Sequence, residues 1–79
     1  MTPAEAQAVV VACVQRVAPG ADVLGIAPTA DMRRALDLDS VDFLSLVELL
    51  SERTGLQIPE RDYDRLRSRQ GLVDYLVAG

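Results

Sequence analysis

The sequence predicts an all-α protein, a four-helix bundle with a short third helix and a long first loop. Apolar residues recur at spacings of three and four in separate segments, which is the period of an amphipathic helix. Residues that start and stop helices flank these segments. With 79 residues, the chain is expected to form one domain, 1–79, too small for a large catalytic cleft.

The first helix is predicted over residues 3–18. Thr2 can cap it, Pro3 suits the first helical position and Glu5 completes a capping box. Pro19-Gly20 then stops it. Its apolar stripe consists of Ala6, Val9, Val10, Cys13, Val14 and Val17. Nothing electropositive accompanies Cys13, so we interpret it as a buried apolar residue and not as a reactive thiol.

Residues 19–38 are predicted to form a long connection. Loops of this length are uncommon in compact domains. Asp31 can cap one short turn, from Met32 to Ala35. Apolar residues are expected to anchor the connection to the bundle, namely Val23, Leu24, Ile26, Met32, Leu36 and Leu38.

The second helix is predicted from Ser40 to Thr54, with Gly55 as its natural C′ residue. Its apolar face is broad and comprises Phe43, Leu44, Leu46, Val47 and Leu50. The opposite side carries Asp42, Ser45, Glu48 and Glu52 at helical spacing.

The last two helices follow an extended connector. Residues 56–59 end in Pro59, and a residue before proline avoids the helical conformation. A short third helix is predicted over residues 60–66, with Tyr63 and Leu66 facing inward. Ser68 can cap a fourth helix over residues 69–77, whose apolar face is Leu72, Val73, Tyr75 and Leu76. Gly71 inside that helix costs up to about 1 kcal/mol relative to alanine.

The start of the second helix is the most informative stretch. Asp39 is a good N-cap, and Asp42 can return a hydrogen bond to the Asp39 amide in the manner of a capping box. Ser40 then falls at the first helical position, where the backbone does not need its hydroxyl. A phosphate ester on that oxygen would lie beside unpaired amides and the positive end of the helix dipole.

Composition and charge exclude several classes of function. The net charge of −4 and the isoelectric point near 4.5 argue against nucleic-acid binding. Neither a signal sequence nor an apolar run of membrane-spanning length occurs, and the single Cys cannot form a disulfide within the chain. A cytoplasmic protein is therefore expected.

Enzyme chemistry is disfavoured by missing residue types. The chain has no His, so neither Ser40 nor Cys13 has an imidazole base, and it has no glycine-rich phosphate loop. Asp37 and Glu48 match the first and last positions of a calcium loop, but Val41 and Asp42 break the pattern between them. Neither catalysis nor a metal site is expected.

The stretch around Ser40, together with the helix pattern described above, resembles the acyl carrier protein family. The resemblance runs from about Val9 to Leu76 and is carried by Asp39-Ser40-Val41-Asp42 with its flanking apolar residues Leu36, Leu44, Leu46, Val47 and Leu50, together with Ile58-Pro59 and Asp74-Tyr75-Leu76. It implies a 4′-phosphopantetheine arm on Ser40 whose terminal thiol bears acyl groups as thioesters. It also implies as partners a phosphopantetheinyl transferase, and acyl-loading, condensing and tailoring enzymes with basic docking surfaces. A monomer is expected.

Two surfaces follow as hypotheses from the resemblance. Partner recognition is expected around Ser40 through Asp39, Val41, Asp42, Ser45 and Glu48, although a plain solvated helix face explains the carboxylates equally well. An acyl chain could enter a cleft lined by Leu44, Leu46, Leu50, Tyr63 and Leu72. An ordinary packed core is the alternative interpretation of those residues.

The chain departs from the common fatty-acid pattern Asp-Leu-Gly-x-Asp-Ser-Leu. Ala35 replaces the first Asp, Asp37 replaces the Gly and Val41 replaces the final Leu. Ser45 stands where an acid is usual, and Glu48 where Met is usual. These changes favour a specialised carrier, for a polyketide or another secondary metabolite, over a fatty-acid carrier. The alternatives are a peptidyl carrier of a nonribosomal pathway, whose usual Gly-Gly before the Ser is missing, and an unmodified helical docking module.

Overall fold

Three long α-helices and one 3₁₀ helix form the bundle. The computed structural model describes residues 1–79. Its α-helices are α1 (Pro3–Val17), α2 (Met32–Ala35), α3 (Ser40–Thr54) and α4 (Arg69–Ala78), and its 3₁₀ segments are Val23–Gly25 and Glu60–Leu66. The predicted all-α fold is confirmed. The short third helix of the prediction is the 3₁₀ helix Glu60–Leu66.

The helix ends follow the capping residues in the sequence. Thr2 and Glu5 form a reciprocal capping box at α1, with the Glu5 amide 3.2 Å from Thr2 Oγ1 and the Thr2 amide 2.9 Å from Glu5 Oε1. Asp31 accepts hydrogen bonds from the amides of Arg33 and Arg34 and so starts α2. Gly55 ends α3 in the left-handed region at φ 74°, a conformation that glycine adopts without strain.

The core lies where α1 packs against both α3 and α4. Phe43 of α3 meets Tyr63 of the 3₁₀ helix edge to face, with ring centroids 5.7 Å apart. The remaining core is aliphatic, and 14 buried residues form one cluster: Ala6, Val10, Cys13, Val14, Val23, Met32, Phe43, Leu46, Val47, Leu50, Leu66, Leu72, Val73 and Leu76. Burial raises the pKa of the Cys13 thiol, which opposes a nucleophilic role for it.

The long loop before α3 is held down by side chains and by backbone hydrogen bonds. Val23, Met32 and Leu38 are buried as predicted, and Ile26 and Leu36 pack partly against the core. The prediction was wrong for Leu24, which is 56% exposed. The 3₁₀ turn is tight and Val23 fills its inward position, so Leu24 turns outward.

The same loop is tied to the 3₁₀ helix and to α4. The Met32 amide donates to the Arg67 carbonyl at 2.7 Å, and the Gln70 amide donates to the Pro28 carbonyl at 2.9 Å. The Arg69 guanidinium bridges the Ile26 carbonyl, at 3.0 Å, and Gln7 Oε1 of α1, at 3.1 Å. The loop that leads to Ser40 is thus positioned by the C-terminal quarter of the chain.

Gly71 has a steric role that its helix propensity does not show. A Cβ atom at this position would collide with the backbone carbonyl oxygen of Arg65. The absence of a side chain lets α4 begin tightly against the 3₁₀ helix, where Ser68 caps it by accepting from the Gly71 amide at 3.0 Å. None of the helices has both the length and the apolar character needed to span a membrane.

Candidate functional site

Ser40 occupies the first position of α3 and its side chain is exposed. The capping is done by its neighbours: Asp39 Oδ1 accepts from the Asp42 amide at 2.8 Å, and Asp42 Oδ2 accepts from the Asp39 amide at 3.3 Å. The predicted capping box is confirmed. The backbone therefore makes no demand on the Ser40 hydroxyl, and the amides of Ser40 and Val41 have no acceptor within the protein.

The other three serines of the chain are less available. Ser51 Oγ donates to the Leu56 carbonyl at 2.6 Å, and Ser68 Oγ caps α4. Ser45 is half-buried on α3. Ser40 is thus the one serine whose hydroxyl is both exposed and unused by a helix end.

The single hydrogen bond of Ser40 Oγ comes from Arg33, a residue that the sequence analysis did not single out. Arg33 Nη2 lies 3.5 Å from Ser40 Oγ. The guanidinium carbon of Arg33 also sits 5.1 Å from the centre of the Phe43 ring, in the position of a cation–π contact. The only signal in the sequence was a pair of arginines shortly before an acidic helix start.

A hollow of about 250 Å³ opens beside Ser40. Its lining combines α2, the start of α3 and the 3₁₀ helix, and it includes four charged side chains that the sequence analysis missed as site residues: Arg33, Glu60, Asp64 and Arg67. Arg67 forms ion pairs with Asp31 at 3.9 Å and with Asp64 at 3.2 Å. The hollow therefore has a polar rim around an apolar wall of Phe43, Leu44 and Tyr63.

The structure divides the five residues predicted for an acyl-chain cleft into two groups. Leu44 is 45% exposed and, with Tyr63, lines the hollow next to Ser40. Leu46, Leu50 and Leu72 are at most 1% exposed inside the packed core. An acyl chain could enter between these three only if they moved apart, whereas the hollow is already open.

The residues predicted for partner recognition lie on two sides of Ser40. Val41 is 70% exposed and stands next to it, as does Asp39. Further along α3, Asp42, Ser45 and Glu48 line a shallow groove of about 440 Å³ whose other members are Arg16, Val17, Leu49 and Glu52. The groove is mainly acidic, but Arg16 of α1 contributes a positive charge that the sequence did not place there.

Asp37, three residues before Ser40, adopts φ 54°. It is the one non-glycine residue of the chain at positive φ, and L-residues other than Asn and Asp rarely adopt this conformation. The acyl carrier pattern has a glycine at this position. A glycine at this position would adopt the same φ without strain, so the backbone conformation here suits the residue that the pattern places there.

Comparisons with known proteins show the family of this chain. A sequence model of the family described as "Phosphopantetheine attachment site" matches residues 8–76. The chain is 33% identical over 58 residues to the acyl carrier protein of Rubrobacter xylanophilus, with 73% of this chain and 72% of that protein covered. The chain belongs to the acyl carrier protein family. An acyl carrier function and a covalently attached phosphopantetheine group follow from this membership.

Other acyl carrier proteins match over a similar region. The acyl carrier protein of Syntrophobacter fumaroxidans is 35% identical over 58 residues, with 73% of this chain and 72% of that protein covered. Acyl carrier protein 2, mitochondrial, of Arabidopsis thaliana is 32% identical over 53 residues, which is 67% of this chain and 42% of that longer protein. The match thus covers most of this chain, but a smaller share of the mitochondrial protein.

The residues around Ser40 fit a phosphopantetheine group. The group is joined through a phosphate, and this site offers an exposed hydroxyl, a guanidinium 3.5 Å from it and two amides without acceptors at a helix N-terminus. The guanidinium and the two amides favour a negative charge beside the hydroxyl. As a carrier, the chain interacts with biosynthetic enzymes.

Proposed function

We propose that Ser40 Oγ is the attachment atom of the phosphopantetheine group and that this chain serves as a non-catalytic carrier for it. The strongest support comes from the start of α3. There the side chains of Asp39 and Asp42 cap the helix, so the exposed Ser40 hydroxyl is not needed for capping and is available for attachment. When bound, the group supplies a terminal thiol that bears an acyl chain as a thioester.

In this mechanism the chain supplies the acceptor oxygen, and the base comes from elsewhere. A phosphopantetheinyl transferase would form the bond between Ser40 Oγ and the phosphorus next to the pantetheine, while the phosphoanhydride bond of coenzyme A breaks and adenosine 3′,5′-bisphosphate leaves. The Ser40 proton must leave to a base of the transferase, which would also supply magnesium. Ser40 Oγ hydrogen-bonds only a guanidinium, which is not a base at neutral pH, and the chain has no His.

The docking surface that we propose for the transferase and for the acyl-loading, condensing and tailoring enzymes is the exposed side of α3 with the residues that flank Ser40. It comprises Asp39, Val41, Asp42, Ser45 and Glu48. Carboxylates on this side would meet basic surfaces on those enzymes and speed their encounter. Val41, at 70% exposure, offers an apolar contact in the middle of the charged surface.

We further propose a specialised pathway, for a polyketide or another secondary metabolite. Support comes from the departures at Ala35, Asp37, Val41, Ser45 and Glu48, all close to the attachment site or on the proposed docking surface. Loading assays with candidate acyltransferases and adenylating enzymes would distinguish this pathway from fatty-acid and nonribosomal peptide synthesis. The cytoplasmic location and the monomeric state stay predictions.

Ser40→Ala should abolish attachment, because it removes the proposed acceptor oxygen. The measurement is the intact mass after incubation with coenzyme A and a phosphopantetheinyl transferase of broad specificity. The wild-type chain should gain one phosphopantetheinyl unit, and Ser40→Ala should gain none.

Ser51→Ala is the matched control, since it removes a serine hydroxyl of α3 that lies outside the proposed docking surface and donates to the Leu56 carbonyl. It should be loaded to the same extent as the wild type. A wild-type chain that no transferase loads, or a Ser40→Ala chain that still gains the unit, would contradict the proposal. A Ser40→Ala chain that is still loaded would mean that the group is attached to another residue. A wild-type chain that no transferase loads would leave the unmodified docking module as the better interpretation.

A further inference from the structure

We infer that Arg33 is a positioning residue for the prosthetic group: it pairs with the phosphodiester on Ser40 and so holds the base of the arm beside the hollow lined by Phe43, Leu44 and Tyr63. This inference rests on the proposed attachment at Ser40. It concerns a residue outside the Asp39–Asp42 stretch that carries the family resemblance.

The first argument is distance. Arg33 Nη2 already lies 3.5 Å from Ser40 Oγ. In a phosphodiester on Ser40, the non-bridging oxygens are only two bonds from Oγ, so they fall within reach of the same guanidinium. A charge-assisted hydrogen bond between them needs a separation of about 2.7–2.9 Å. Rotation about the bond between Oγ and phosphorus would bring a non-bridging oxygen to that separation without moving the guanidinium.

The second argument is charge. Arg33 forms no ion pair in this structure, although the net charge of the chain is −4. Both salt bridges of the chain involve Arg67 instead. A phosphodiester would be the first anion to meet this guanidinium at hydrogen-bond distance. The two open amides of Ser40 and Val41 at the same helix start favour negative charge as well.

The third argument is preorganisation. Arg33 is half-buried and its guanidinium is stacked over the Phe43 ring, 5.1 Å from the ring centre. A guanidinium that is already held in place loses less side-chain freedom when it binds an anion than a free surface arginine does. Because Phe43 and Arg33 both line the hollow, pairing at this point places the first atoms of the arm at its edge.

Arg34 is the neighbour that makes the test sharp. It lies in the same short helix, it is exposed, and it makes no side-chain hydrogen bond or ion pair. Arg33→Gln and Arg34→Gln therefore change the net charge of the protein equally, and only the first removes the guanidinium next to Ser40.

The experiment measures the phosphorus-31 chemical shift of the phosphopantetheine-loaded chain from about 0.1 M to about 1 M salt, a range over which the screening length falls from about 10 Å to about 3 Å. The wild-type signal should move with salt toward the position found in Arg33→Gln. In Arg33→Gln it should lose most of that movement, whereas Arg34→Gln should follow the wild type. Arg33→Lys should keep part of the salt dependence, because a lysine retains the charge but not the planar fork.

A second measurement requires no substitution. The Nε–H signal of Arg33 in the wild-type chain should shift when the group is attached, and that of Arg34 should not. Equal phosphorus shifts and equal salt dependence in the wild type and Arg33→Gln, with loading confirmed by mass, would overturn the inference and leave Ser40 attachment intact. A wild-type chain that is not loaded at all would instead refute the proposed function on which the inference rests.

Discussion

At the scale of single residues, Asp37 shows how the chain keeps a backbone shape without the usual residue. Its φ of 54° belongs to the left-handed region, which costs most L-residues roughly 1–2 kcal/mol. Aspartate tolerates the region better than most because its short polar side chain can hydrogen-bond locally. The turn at Asp37 leads directly into Asp39 and Ser40, so the backbone conformation of Asp37 helps to set the start of α3.

Asp37→Gly should therefore stabilise the protein. The substitution relieves the left-handed strain, and we expect the free energy of unfolding to rise by about 0.5–1 kcal/mol, less than the full strain because glycine loses more conformational freedom on folding. Urea denaturation followed by circular dichroism measures the change.

Asp37→Ala is the control, because it removes the same carboxylate and keeps the Cβ atom. It should leave the stability unchanged or lower it. If both substitutions stabilised the protein equally, the lost charge and not the backbone conformation would be the cause.

Residue-level prediction from the sequence succeeded where the determinant is local. The cap formed by Asp39 and Asp42, and with it the free hydroxyl of Ser40, depends only on residue types three positions apart. Arg33 could not be found in this way. Arg33 and Ser40 are seven residues apart, and they meet only because the chain between them turns back on itself. The Arg33 guanidinium lies over the Phe43 ring only when α2 and α3 are packed together.

At the scale of elements, the close contact between the 3₁₀ helix and α4 explains why Gly71 lies in a helix, although glycine has a low helix propensity. Propensity predicts that alanine at position 71 stabilises an exposed helix interior by about 1 kcal/mol. The structure predicts the reverse, because the added Cβ would meet the carbonyl oxygen of Arg65, a backbone atom that cannot rotate away.

Gly71→Ala should thus lower the free energy of unfolding by about 1–3 kcal/mol, the range for overpacking at a close contact. Thermal and urea unfolding of the variant measure this loss directly. The sign is decisive: a more stable variant would show that α4 can shift away from the 3₁₀ helix at little cost and that the close approach is not needed.

The bounds of the four longest elements were predictable to within a residue, because apolar spacing and the flanking residues mark them. The 3₁₀ segment Val23–Gly25 was not predicted, and the 3₁₀ helix Glu60–Leu66 has no side-chain cap. The spacing of apolar residues did not predict which of them would be exposed to solvent. Leu24 belongs to a short turn whose inward position is taken by Val23, and Leu44 sits at the edge of the α3 core face, beside the hollow. Both outcomes depend on how the elements meet, which the spacing of apolar residues along one segment does not encode.

At the scale of the whole molecule, a negative net charge would steer the carrier toward basic partner surfaces, and the placement of carboxylates would decide the orientation of the encounter. Asp42 is a poor probe of this idea, because it also accepts a hydrogen bond from the Asp39 amide at the start of α3. Glu48 is a better one, since it is exposed and its side chain makes no hydrogen bond or ion pair within the chain.

Glu48→Arg should slow association with a phosphopantetheinyl transferase by about two- to tenfold at low salt, and it should weaken the dependence of the rate on salt. The association rate can be measured by stopped-flow fluorescence at several salt concentrations. The fold should be unaffected, because Glu48 takes no part in packing.

Asp74→Arg is the matched control. It changes the net charge by the same amount, but on α4, where Asp74 is exposed and accepts one hydrogen bond from Gln70 at 2.8 Å. It should alter the rate much less than Glu48→Arg does. Equal slowing by the two variants would show that total charge governs the encounter, and the proposed docking surface on α3 would then have no special role.

The ties between the long loop and the C-terminal quarter of the chain limit how this carrier can be recombined with others. Transplanting residues 31–54 alone into a related scaffold would move the serine and its helix, but not the Arg67 carbonyl that receives the Met32 amide or the Arg67 side chain that pairs with Asp31. In such a chimera the Arg33 guanidinium would no longer be held in its position beside Ser40. A functional graft therefore has to include both segments, two stretches that are distant in the gene and adjacent in the folded protein.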